Sequence, residues 1–285
     1  QSLFDSHSQV SQLPGYFFFD EFWSKIKKKN IKPNDIAEEF ISDYQHFFDS
    51  RLNLRERHHM LGENKNSFYT VDKKSFKDSF SNLFQNQEIN KKNILYNLHL
   101  AYSQSSGEDL KEKKIIILNL HQIFRLKTLE GFDYEVVYTI RHPIASLSSE
   151  TKHWLKYENG KHLSPWSLYF HIDRVFNGLK DVLDIKAKIH IVQLELLHRR
   201  NLEVMKDLTK RFKINFEDIL TKSTYHGKLW WGDMVSGRDL NGVNPNFKNN
   251  IDYKLFYKKD IMCIEKYLKS FMIKYDYDFF EKKSN

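Results

Sequence analysis

Cysteine is almost absent from this chain. Cys263 is the single one in 285 residues, so no disulfide can form within it. The composition therefore neither requires nor proves an oxidising compartment. Cys263 sits in the apolar helical pattern IMCIEKYL and is expected to be packed core. No apolar run reaches the length of a membrane span. No signal peptide is visible, and the expected location is cytoplasmic. No internal repeat or low-complexity linker divides the chain. No pair of histidines stands in a convincing metal-ligand pattern, so no metal is expected. A glycine-rich phosphate loop is missing too: neither Gly-x-x-x-x-Gly-Lys nor Ser-Gly-Thr-Thr occurs.

What is present allows a sizeable core. Hydrophobic residues make up 40%, with 23 Phe and 15 Tyr, enough for one large α/β domain with a helical insertion. The net charge of +8 would attract nucleotide, anionic glycan, nucleic acid or acidic lipid. Much of the excess lies in lysine runs at 25–29 and 111–114, which read as solvated surface. These runs are not interleaved with aromatics on a nucleic-acid motif, so no nucleic-acid partner is expected.

Periodicity gives the layout. A helix is predicted at 1–4 and a loop or extended piece at 13–20. Helical spacing follows at 36–54, with Asn34 as N-cap behind Pro33, and then at 76–84 and 94–102. Short apolar strands are predicted at 115–118, 134–140 and 189–194. Helices are predicted at 121–129, 144–155, 166–183, 202–212 and 260–275. Residues 221–250 are rich in Gly and Asn and read as irregular. Apolar strands alternating with helices argue for an α/β fold with a central parallel sheet flanked by helices.

The most informative stretch is VVYTIRHPIASLSS at 136–149. Val136, Val137 and Ile140 form an apolar strand, suited to a parallel sheet covered on both faces. Arg141 then stands at the strand's carboxyl end. Pro143 is preset for a first helical turn, and Ser149 lies about two turns along. Ligands of open α/β sheets bind beyond the carboxyl ends of strands. An arginine there, beside a helix start and a hydroxyl, suits a phosphate. An arginine closing the strand end against an acidic side chain explains the same residue without a ligand.

Strand–Arg–x–Pro–x5–Ser resembles the site that holds the 3′-phosphate of PAPS (3′-phosphoadenosine 5′-phosphosulfate) in sulfotransferases. Two further stretches are similar to that family. Phe4-Asp5-Ser6-His7-Ser8-Gln9-Val10, then Leu13-Pro14-Gly15, resembles the segment after its phosphosulfate loop. Thr224-x-x-Gly227-x-x-Trp230 resembles a segment of bacterial and glycan-type members. The resemblance runs from Gln1 to about Phe247. It implies a P-loop-type sheet, with residues 1–285 forming one domain and a helical insertion at about 34–103. The family's first strand and sulfuryl-binding loop are then expected to lie before Gln1.

The resemblance also implies roles. Arg141 and Ser149 would contact the 3′-phosphate. Trp230 and Trp231, with Thr224 and Gly227 nearby, would close over the nucleotide, and Arg238 or Lys248 in the following loop would add a basic residue at the 3′-phosphate. His121, after the strand at 115–118, would be the base that takes the acceptor's proton. His7, His142, His153 and His226 are its rivals, and other members use a glutamate elsewhere. Leu194-Glu195 stands where many members have Tyr-Glu. PAPS would be the co-substrate, and the acceptor a hydroxyl compound, leaning toward a carbohydrate. A P-loop kinase remains an alternative, although the strand ends offer Asn119, Arg141 and Glu195 rather than a Mg²⁺-binding Asp. A non-catalytic binding module of the same fold is the other alternative.

Overall fold

The computed structural model describes residues 1–27, 31–120, 122–157, 173, 185–234 and 242–279. The chain starts with β1 (Val10–Gln12), α1 (Phe19–Ile26), α2 (Pro33–Asp43), α3 (Gln45–Phe48), α4 (Lys73–Leu83) and α5 (Lys91–Ser105). Then come β2 (Ile115–Ile117), β3 (Glu135–Ile140), α6 (Pro143–Tyr157), β4 (Lys188–Gln193), α7 (Leu194–Arg199) and α8 (Asn201–Phe212). The chain continues with β5 (Thr224–Tyr225), β6 (Lys228–Leu229), α9 (Lys258–Tyr267) and α10 (Lys269–Lys274). The fold is mixed α/β, with parallel strand pairs and many helices. It groups into two compact units, Gln1–Asp133 with Arg200–Pro245, and Tyr134–Arg199 with Asn246–Asn285. The helix expected at 166–183 lies outside the described residues.

In the first unit β1 pairs in parallel with β2, Val10 opposite Ile115 and Gln12 opposite Ile117. Local pattern does not announce β1, because only Val10 is a strong strand former. Burial makes it a strand. Ser11 is fully buried, and its hydroxyl meets the carbonyl of His99 at 3.1 Å and the hydroxyl of Ser103 at 2.8 Å, both on α5. Residues 1–4, expected to be helical, form turns instead. Their polar groups are used at long range, as when Asn119 Nδ2 donates to Gln1 Oε1 at 2.7 Å.

The helices between β1 and β2 enclose an aromatic core. Phe17, Phe22, Phe40, Phe48, Phe76 and Phe80 are all buried. Phe40 stacks on Phe76 at 5.4 Å and meets Phe17 edge-on at 5.3 Å, geometries that aromatic quadrupoles favour. Two boundaries differ from expectation. Lys32, not Asn34, precedes α2, and Pro33 occupies its first turn, where a missing N–H costs nothing. The helix predicted to reach residue 54 ends at Asp43. Ser50 N–H instead donates to the carbonyl of Tyr69 at 3.1 Å, and Val71 N–H to that of Phe48 at 2.9 Å. Those long-range bonds replace helical ones. The late segment of this unit is less irregular than expected, since β5 and β6 form a hairpin. His226 (φ 49°) and Gly227 (φ 68°) supply the two positive-φ positions of its tight turn.

In the second unit β3 and β4 are parallel over six residues, from Glu135 opposite Lys188 to Ile140 opposite Gln193. Glu135 ties the amino ends together, accepting from His190 Nε2 at 2.5 Å and Lys188 Nζ at 3.2 Å. The hydrogen bond from His190, and then that from Lys188, hold its carboxyl below the usual range. The expectation that both faces of β3 are covered is corrected: Val137 is 42% exposed. Among the described residues the packed face is the one where Ile140, Ile144 and Leu147 meet Ile261, Ile264 and Phe271. Cys263, expected in the core, is exposed. Ile261 and Ile264 take the inward stripe of α9, and residue 263 falls off that stripe. The closing helix is two helices, interrupted at Leu268.

Candidate functional site

In the second unit Arg141 follows the last residue of β3, and Pro143 opens α6. Arg141 is half-buried, and its guanidinium carbon lies 6.0 Å from the ring centre of Phe247. Phe247 in turn stacks on His198 at 4.6 Å and 8°. The two residues after Arg141 are fixed. His142 is buried, and its Nε2–H donates to the carbonyl of Asp278 at 3.0 Å. Its backbone N–H donates to Glu195 Oε1 at 2.9 Å.

Glu195 stands at the carboxyl end of β4, so both strand ends of the pair contribute. It is buried and also accepts from the Tyr277 hydroxyl at 3.3 Å. Burial, and then the Glu195 charge, push the Tyr277 phenol well above its ordinary value. Burial, and then the Arg141 charge, lower the pKa of His198. On α6 two neighbouring serines differ. Ser148 is buried and its hydroxyl accepts from Asp252 N–H at 3.0 Å, whereas Ser149 is exposed. Lys248 is exposed as well. This edge offers a guanidinium, the first-turn amides of a helix and an exposed hydroxyl, a set suited to a phosphate.

The first unit has its own edge. A cleft of about 570 Å³ opens where β1 ends, lined by Gly15 and Tyr16 with Phe22, Tyr44, Arg55 and Glu56. A smaller hollow of about 200 Å³ shares Gly15, Tyr16 and Glu56 with it and reaches Asn119, two residues past β2. Both hollows therefore lie at the carboxyl edge of a parallel pair. Glu56 is half-buried, and its carbonyl accepts from Trp230 Nε1 at 2.6 Å. Burial, then the charge of Asp233, raise its pKa, while Arg55 opposes them. Burial, then Glu56, raise that of Tyr16. A carboxyl raised in this way in a cleft is a fitting proton acceptor. Nothing in the polar run 53–59 marked it, because Trp230, 174 positions further along, and Asp233 help to build its surroundings.

The remaining sequence-derived residues are placed as follows. Thr224 is buried, and its hydroxyl donates to Asp5 Oδ2 at 2.9 Å. Trp231 donates from Nε1 to the carbonyl of Gly62 at 2.7 Å, with the Lys65 ammonium 4.8 Å from its ring centre. His7 is buried, donating from Nε2 to the carbonyl of Asn215 at 2.8 Å and accepting at Nδ1 from Gln9 N–H at 3.0 Å. His226 is half-buried, its ring stacked on that of Tyr69 at 3.8 Å. His153 is half-buried on α6. His121 and Arg238 lie outside the described residues. Arg141 and Ser149 belong to the second unit, Thr224 and Trp231 to the first. Among the described residues no group of three or more His, Cys, Asp or Glu could hold a metal ion.

No family model matches the chain, and no curated protein matches it. Among solved structures, the sulfotransferase domain from the curacin biosynthetic pathway is similar over 98% of this chain and 92% of its own, at 12% identity and a TM-score of 0.46.

Proposed function

We propose that this protein is a sulfotransferase, moving a sulfuryl group from PAPS to an acceptor hydroxyl. One observation carries the proposal. Arg141 is the first residue past the carboxyl end of a parallel strand, and Pro143 opens a 15-residue helix immediately after it. That is the arrangement the motif calls for. A guanidinium supplies paired N–H donors to phosphate oxygens, and the helix start adds amides and positive potential. Arg141 would bind the 3′-phosphate, with the Ser149 hydroxyl as a second donor. Thr224 and Trp231, whose polar groups meet Asp5 and Gly62, are left out of the proposed grip.

In the transfer, the acceptor oxygen forms a bond to sulfur while the bond from sulfur to the 5′-phosphate oxygen breaks. The electron pair leaves on that phosphate, giving adenosine 3′,5′-bisphosphate. The acceptor proton passes to the imidazole of His121. Holding the partners in line and offsetting charge supply most of the acceleration. The acceptor class we favour is a carbohydrate, on the strength of Thr224-x-x-Gly227-x-x-Trp230 and the basic net charge.

Calorimetry tests the nucleotide assignment. The protein is expected to bind adenosine 3′,5′-bisphosphate at least about tenfold more tightly than AMP, since only the former offers a 3′-phosphate to Arg141. Equal affinity for the two overturns the assignment.

A further inference from the structure

The last two helices of the second unit turn one side inward and leave the other in water. Ile261, Ile264, Leu268, Phe271 and Met272 are buried in a single cluster. That one stripe runs through both α9 and α10, so the two helices share an inward side. Their outer side carries Lys258, Lys259, Lys266, Lys269 and Lys274, all exposed. Large apolar groups stand among the lysines. Tyr257 is 83% exposed, Tyr267 65%, Ile273 61% and Met262 44%.

Carboxylates are kept off that side. Asp260 accepts from the N–H of Tyr257 at 3.1 Å, at the start of α9, and Glu265 is buried. The exposed Asp276 and Asp278 come after α10 has ended. Between 257 and 274 the outer side is therefore cationic, with exposed aromatic and aliphatic side chains between the charges.

This combination separates two kinds of anionic partner. A soluble polyanion would use the lysines and gain nothing from an exposed isoleucine or methionine. A bilayer uses both. Acidic headgroups attract the ammonium groups, lysine stems and tyrosine rings suit the headgroup boundary, and Met262 and Ile273 leave water for the acyl region. Among the described residues no helix is long and apolar enough to cross a membrane, so the contact would be peripheral.

We propose that the outer side of α9 and α10 is a docking surface for an anionic lipid bilayer. The lysines face the headgroups, and Met262, Tyr267 and Ile273 enter the interface. The assignment is independent of the sulfuryl-transfer proposal and survives its failure.

Sedimentation of the full chain with lipid vesicles provides the test. Vesicles with about 30 mol% phosphatidylserine are expected to bind it more than about tenfold better than pure phosphatidylcholine, with the difference shrinking as salt rises. A Lys259→Glu, Lys266→Glu, Lys274→Glu variant loses that preference. A Met262→Ser, Tyr267→Ser, Ile273→Ser variant lowers vesicle binding by about tenfold while keeping its retention on heparin. All six positions are exposed, and thermal melting of both variants checks that they remain folded. Equal binding to the two vesicle types overturns the proposal, as does heparin binding without vesicle binding. A serine variant that binds vesicles as well as the unaltered chain assigns the surface to soluble polyanions instead.

Discussion

The backbone N–H of His142 donates to Glu195 Oε1 at 2.9 Å. His142 follows Arg141 just past the end of β3, and Glu195 stands just past the end of the neighbouring β4. A buried carboxylate thus braces the turn that presents the arginine. Glu195→Ala leaves two buried donors without this acceptor, and is expected to lower the free energy of unfolding by about 2–4 kcal/mol. Glu195→Gln keeps an acceptor oxygen and should lose roughly half as much. Urea denaturation measures both; an unchanged midpoint for the alanine variant would mean that the carboxylate braces nothing.

Arg141 and His121 should separate binding from chemistry. Arg141→Ala is expected to weaken adenosine 3′,5′-bisphosphate binding by about 1.5–3 kcal/mol and to affect AMP little. His121→Ala should lower turnover by about 10²–10⁴-fold with nucleotide affinity nearly unchanged. Glu56 is the competing proton acceptor. Near-normal sulfuryl transfer by His121→Ala together with loss of transfer in Glu56→Gln moves the base to the cleft.

Asp5 is expected to be a structural keystone rather than a site residue. It is buried, and its carboxylate accepts from Thr224 Oγ1 at 2.9 Å, His226 N–H at 3.1 Å and Gly227 N–H at 2.9 Å. Asp5→Ala removes the acceptor of these three donors and of the Ser6 hydroxyl, 3.1 Å from Oδ2, and should cost about 3–5 kcal/mol. Calorimetric melting reads the loss. Little change in the melting temperature would show that water replaces the carboxylate without penalty.

Acid should destabilise the first unit through two buried histidines, His58 and His99, and the half-buried His226. Burial lowers His58 to about 3 and both His99 and His226 to about 4, from an ordinary value of 6.5. The folded state therefore binds fewer protons than the unfolded chain below pH 6.5. This part of the stability is whole above that pH and is lost as pH falls toward 4 and then 3. With all three contributing, the slope reaches up to about 4 kcal/mol per pH unit near pH 5. Melting temperatures between pH 8 and pH 4 measure it, and His99→Gln should remove about a third of the slope. A melting temperature that is flat across this range contradicts neutral buried histidines.

Parts of this protein were legible along the chain. The core of α4 and α5, strands β2, β3 and β4, and the turn from β3 into α6 all followed from side-chain periodicity, short apolar runs and the fixed angle of Pro143. Arg141 could be picked out because the features that place it are its immediate neighbours. The same locality explains the misses. Val10-Ser11-Gln12 carries no strand pattern, and becomes a strand only when Ser11 is buried against α5. Residues 44–54 keep helical spacing, yet Ser50 N–H bonds to Tyr69 instead. Cys263 fits an apolar pattern, but the position of the core decides which stripe of α9 turns inward.

The sequence by itself determined that elements of both kinds exist, that an arginine ends one strand, and that no disulfide ties the chain. Each depends on residue identity and short-range geometry. Only the tertiary structure decided that Glu195 supports the residue after Arg141, and that Glu56 lies in a cleft beside Asp233. It also decided that the lysines of α9 and α10 share an exposed side with Tyr267 and Ile273. Those are relations between distant segments. A carboxylate's pKa, a buried donor's acceptor and a helix's wet side are all set by what packing brings near, and local pattern carries no record of it.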